Sequence, residues 1–174
     1  GDFLGSSVSL NGNRLAVGAI FDDGFGNAVT DSGAVYLFSF TDSAFNGGVL
    51  EGIIGHGYTG GKNIDMSAYL QGSDRFGYSV SLDGQMLAVG APLDDGLANA
   101  ATDSGAVYLF NFTDSTFGGG ALRGIAGYNY TGGNNISVSG LASGDYFGGS
   151  VSLDNNRLAV GAIFDDGSAN SRTD

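Results

Sequence analysis

The chain has 174 residues, no cysteine, one proline, 33 glycines and a net charge of −12. That balance excludes a disulfide scaffold, thiolate metal centres and a basic surface for nucleic acid. No apolar run approaches the roughly 18 residues of a spanning helix, so no membrane insertion is expected, and abundant Phe and Tyr can form a core.

The sequence repeats itself. Leu15-Ala16-Val17-Gly18-Ala19 returns as Leu87-Ala88-Val89-Gly90-Ala91 and as Leu158-Ala159-Val160-Gly161-Ala162. Ser32-Gly33-Ala34-Val35-Tyr36-Leu37-Phe38 returns unchanged from Ser104 to Phe110, and Tyr58-Thr59-Gly60-Gly61 returns from Tyr130 to Gly133. The offsets are 72 and then 71 residues. A fixed period of this size marks a supersecondary unit that stacks on its neighbours. The expected organisation is unit 1 at 1–73, unit 2 at 74–144 and a partial unit 3 at 145–174, the whole a piece of a longer array.

Within a unit the elements follow in one order, clearest in the second. Ser79-Val80-Ser81-Leu82 alternates polar and apolar and predicts a half-buried strand. Asp83-Gly84, Asn11-Gly12 in the first unit, predicts a tight hairpin turn with positive φ at both central positions. Met86 to Ala91 predicts a buried strand returning antiparallel. A polar loop, 94–104, precedes the strongest strand, Ala106 to Phe112, whose two faces (Ala106, Tyr108, Phe110, Phe112 against Val107, Leu109) are both apolar. Thr113-Asp114-Ser115 predicts a turn, 120–126 holds a weaker fourth strand, and Tyr128 to Asn135 is a glycine-rich connection. No segment has a capped helical period.

Such a unit is unstable alone. Four large side chains left exposed would forfeit on the order of 6–12 kcal/mol, at roughly 1.5–3 kcal/mol each. The expected fold class is therefore all-β: antiparallel four-stranded blades stacked as part of a β-propeller, with a β-solenoid or an open filament of the same units as the alternative.

Phe76-Gly77 and Gly90-Ala91-Pro92 spell FG and GAP. The whole chain resembles the FG-GAP repeats of integrin-like β-propellers, most closely bacterial extracellular versions with a GAVYLF-like third strand. Leu4-Gly5 stands for FG in unit 1, and Gly18-Ala19-Ile20 and Gly161-Ala162-Ile163 stand for GAP in units 1 and 3. These swaps keep the glycines. The resemblance implies about seven blades in a closed ring, so over half a ring would lie outside these residues. It also implies a calcium loop between the first two strands, but only tight turns stand there, with too few oxygens for the 6–8 ligands calcium takes.

Acidic residues gather instead in the next loop: Asp22, Asp23, Asn27 and Asp31; Asp94, Asp95, Asn99 and Asp103; Asp165, Asp166, Asn170 and Asp174. Carboxylates and an amide at this density can wrap Ca2+, the one cofactor the sequence suggests. The competing reading is turn chemistry, with Asp-Asp-Gly bending the chain and each second Asp bonding local backbone. Tyr58 and Tyr130 either stack on a glycan or anchor their loops.

Catalysis requires a constellation that breaks the symmetry of its scaffold. Here every acidic cluster recurs, and the single histidine, His56, becomes Tyr128 in unit 2. The expectation is a non-enzymatic, extracellular or cell-surface module of a secreted bacterial protein, acting in adhesion or fibre assembly. Its partners would be further repeats, other copies of itself, or a cell-surface or glycan ligand. The alternative is a calcium-dependent ligand-binding propeller.

Overall fold

The computed structural model describes residues 1–155 and 157–167. Unit 1 forms a sheet in simple meander order: β1 (Leu4–Asn11), β2 (Arg14–Ala19), β3 (Ala34–Ser39), β4 (Val49–Gly55) and β5 (Ile64–Asp65). Unit 2 repeats it with β6 (Ser79–Asp83), β7 (Met86–Ala91), β8 (Ala106–Asn111), β9 (Ala121–Gly127) and β10 (Ile136–Ser137). Unit 3 contributes the hairpin β11 (Phe147–Asp154) and β12 (Arg157–Ala162).

The fold is all-β, and its sheets are blades of the propeller kind. Four strands per blade are antiparallel, as their alternation predicts. Each full blade gains a two-residue fifth strand paired parallel to the fourth, which the glycine-rich connection concealed. The loop at 94–104 holds one three-residue 3-10 turn, Leu97–Asn99, within an otherwise irregular path.

The hairpin turns sit one residue later than the Asn-Gly and Asp-Gly pairs suggested. Asn11 pairs with Arg14 and Asp83 with Met86, so the central residues are Gly12-Asn13 and Gly84-Gln85. Only the first of each pair has a positive φ, +58° at Gly12 and +54° at Gly84. Pairing of Leu10 with Leu15 and Leu82 with Leu87 sets this register, because a one-residue slip would turn every apolar side chain to the other face.

Blades meet through their first strands. β6 lies against β1 and β2, and β11 lies against β6, β7 and β8. Glycines allow this approach. A Cβ on Gly18 would come within 2.0 Å of the Gly77 carbonyl oxygen, and one on Gly90 within 2.0 Å of the Gly148 oxygen. Gly33 and Gly105 meet the backbone of Phe76 and Phe147 in the same way, at 2.1 and 2.0 Å. Serine hydroxyls reinforce the seam: Ser7 Oγ donates to Gly77 O (2.6 Å), and Ser79 Oγ to Gly148 O (2.8 Å). Ser9 Oγ accepts from Leu82 N and Ser81 Oγ from Leu153 N, both at 2.9 Å.

The core lies between the two full blades. Ala16, Val35, Leu37 and Ile54 from the first blade face Val80, Leu82, Leu87, Tyr108, Phe110 and Phe112 from the second. Phe76 sits edge-on to Tyr108 and Phe110, with centroids 5.4 and 6.1 Å away. The strand Ala106–Asn111 is thus covered on both faces, as its composition demanded.

Candidate functional site

In the two full blades the acidic loops connect the second and third strands, and in unit 3 Asp165 and Asp166 follow β12. Asp94 is 2% exposed. Its Oδ1 accepts Gly96 N (2.8 Å), closing an Asx turn. Its Oδ2 accepts the Tyr108 hydroxyl at 2.6 Å, and the Tyr130 hydroxyl reaches both oxygens at 3.2 and 3.3 Å. Asp22 repeats the arrangement with Gly24 N (2.8 Å), Tyr36 (2.8 Å) and Tyr58 (3.1 Å to each oxygen). A buried carboxylate is tolerable only when hydrogen-bonded, and each of these receives three donors.

Charge and burial shape the titration of these groups. Burial pushes the Asp94 carboxyl up, against the pull of the tyrosine and Gly96 bonds. Burial also raises Tyr108, Tyr130, Tyr36 and Tyr58, with the facing aspartate adding to it. These hydroxyls therefore stay protonated and act as donors.

The second aspartates work on backbone. Asp23 Oδ1 accepts Asp31 N and Asp95 Oδ1 accepts Asp103 N, each at 2.8 Å. Asn27, Asp31, Asn99 and Asp103 have φ of +53° to +56°, the left-handed region in which Asn and Asp are the least strained non-glycine residues. The Asn99 side chain pairs with that of Gln71 through two bonds, at 2.8 and 3.0 Å. In unit 3, Asp165 is exposed and its Oδ1 accepts Gly167 N (2.7 Å), while Asp166 is half-buried. Asn170 and Asp174 lie outside the described residues. Among the described residues no three Asp, Glu or His side chains converge as a metal-holding group.

The tyrosines are the residues that sequence reasoning undervalued. Tyr130 is 6% exposed, its ring in the core, and Tyr58 is half-buried with Phe25 edge-on at 6.1 Å. The signal was present: an Asp followed by Tyr after 14 and 36 residues recurs intact in both units. Asp74 was also missed. It is 5% exposed at the seam between blades, its Oδ2 accepting Gln71 N (2.7 Å), and Asp145 repeats this with Ala142 N (2.7 Å). Burial pushes the Asp74 carboxyl up to about 8, and the charges of Asp94, Asp95 and Asp103 add to the rise.

FG and GAP now have positions. Phe76-Gly77 lies on the start of β3 and on Gly18, while Gly90-Ala91 closes β7 beneath Gly148. The FG-GAP repeat family model matches residues 1–38, 70–110 and 134–173, well over half of the chain. The chain belongs to the FG-GAP repeat family. FG-GAP repeats occur in adhesion and ligand-binding β-propeller proteins, typically non-enzymatic and usually extracellular or at the cell surface. No curated protein matches the chain significantly. No helix among the described residues is long and apolar enough to cross a membrane. What the repeated Asp–Tyr–Tyr arrangement does chemically is fix the acidic loop of each of the two full FG-GAP blades.

Proposed function

We propose that this FG-GAP chain is a non-enzymatic module of an extracellular or cell-surface protein, serving adhesion or structural assembly by presenting the same blade surface repeatedly. One observation carries the reading. The polar chemistry that could serve catalysis recurs from blade to blade and is spent inside the fold, Asp22 on Tyr36 and Tyr58, Asp94 on Tyr108 and Tyr130. An active site needs a group freed from such duties. Repetition of one surface suits multivalent attachment, where linked weak contacts raise avidity without new chemistry. Bacterial origin and secretion belong to the same proposal. An antibody raised against these 174 residues tests it: intact cells of the source organism, or their medium, should be labelled without permeabilisation. Labelling only after permeabilisation overturns the reading.

A further inference from the structure

Arg14 is a buried cation without a counter-ion among the described residues. It is 5% exposed, at the start of β2 on the seam between the two full blades. Its guanidinium carbon lies 5.0 Å from the ring centroid of Phe117, a fully buried side chain of the second unit. A ring takes the flat of a guanidinium, but the five N–H donors lie in the plane and still need acceptors. Among the described residues Arg14 Nη1 is buried with no hydrogen-bond partner, and the guanidinium forms no ion pair. Burial lowers its pKa while the charge of Asp114 raises it, and a guanidinium stays protonated throughout. Asp114 is held elsewhere: its Oδ1 accepts Thr116 N and Gly118 N, both at 2.8 Å, within its own turn.

The repeats show what Arg14 lacks. Asn11 stands opposite Arg14, Asp83 opposite Met86 and Asp154 opposite Arg157. In unit 3 the Asp154 carboxylate pairs with Arg157. In unit 2 the position carries no cation, and in unit 1 the cation faces a neutral amide. Arg14 also lines an open pocket of about 450 Å3 together with Asn11, Asn13, Gln85 and Ser115. Its walls are the β1–β2 and β6–β7 turns and the turn after β8, all parts of the two full blades. We propose that this pocket is an oxyanion site: a carboxylate, phosphate or sulfate group takes the Arg14 donors and bridges the turns of the two blades. The planar fork of Arg matches the paired oxygens of such groups. Amide and hydroxyl side chains at Asn11, Asn13 and Ser115 supply further donors. The net charge of −12 repels anions at long range, so recognition depends on contact at Arg14.

Thermal melts in sodium chloride, phosphate and acetate, matched in ionic strength and pH, test the site. A ligand that binds only the folded state raises Tm by mass action. Phosphate also strengthens apolar burial in general, so the baseline is Arg14→Met, which carries the side chain found at the same position in unit 2. Replacing chloride by phosphate or by acetate should raise the wild-type Tm by roughly 2–4 °C more than that of Arg14→Met. The anion that responds tells a tetrahedral group from a carboxylate. In chloride Arg14→Met should be at least as stable as wild type, because an apolar side chain replaces an unpaired buried charge. Asn11→Asp supplies the facing carboxylate from within, as Asp154 does in unit 3. It should raise Tm in chloride and remove the anion-specific shift, and it becomes the baseline if Arg14→Met does not melt cooperatively. An anion shift as large in the variants as in wild type, or none in wild type with either anion, overturns the site.

Discussion

Tyr108 donates its hydroxyl to Asp94 Oδ2 at 2.6 Å, both residues buried, and Tyr36 does the same to Asp22 at 2.8 Å one blade earlier. Removing one donor from a buried carboxylate leaves part of its desolvation cost uncompensated. Tyr108→Phe should cost about 1.5–3 kcal/mol, the range for hydrogen bonds to charged groups. Tyr36→Phe should cost less, because Tyr36 is only half-buried. Urea melts of the two variants check the order, and equal costs would contradict the burial argument.

The glycine seam gives a sharper test. A Cβ at Gly90 would stand 2.0 Å from a backbone oxygen, Gly148 O, which has no rotamer to move into. Gly90→Ala should destabilise by at least the roughly 1–3 kcal/mol of an overpacked core, and should loosen β11 and β12 first. Limited proteolysis should cut that hairpin early. Gly140→Ala, at a position with open space around it, is the control and should leave the pattern unchanged.

Stability should depend on pH through Asp74. Its folded carboxyl titrates near 8, about four units above the roughly 3.9 of an unfolded aspartate, so the folded state holds a proton that the unfolded state has released. The stabilisation is complete below about pH 4 and declines as pH rises through 8. Asp94, shifted up for the same reason, adds to the same slope. Asp74→Asn should flatten the decline between pH 5 and 8 in thermal melts, and an unchanged slope would remove Asp74 from the account.

Calcium discriminates between the two readings of the acidic loops. Because Asp22 and Asp94 are engaged by tyrosines and Asp23 and Asp95 by backbone amides, millimolar CaCl2 should leave Tm unmoved, as should EDTA. A ligand that binds only the folded state raises Tm by mass action. A rise reversed by EDTA and lost in Asp94→Ala/Asp103→Ala would give the loops a metal role instead.

Much of this protein was legible in the sequence, because the properties concerned are local or periodic. The 72-residue period announced stacked units, the Ser-Val-Ser-Leu alternation announced β6 and its repeats, and the doubly apolar run at Ala106–Phe112 announced a strand covered on both faces. The loops were legible only as a choice between turn and ion. The tertiary structure decided what local pattern could not. It brought Tyr108 and Tyr130, 14 and 36 residues from Asp94, to one carboxylate, and so accounted for an acidic residue in the core. It moved the hairpin turns by one residue, since pairing of Leu82 with Leu87 outweighs the preference of Asp-Gly for the turn centre. It also gave the recurring glycines a purpose that composition hides. Gly18 and Gly90 are glycines because another blade's backbone lies where a side chain would begin, and a contact across some 60 residues leaves no mark on its own neighbourhood in the chain.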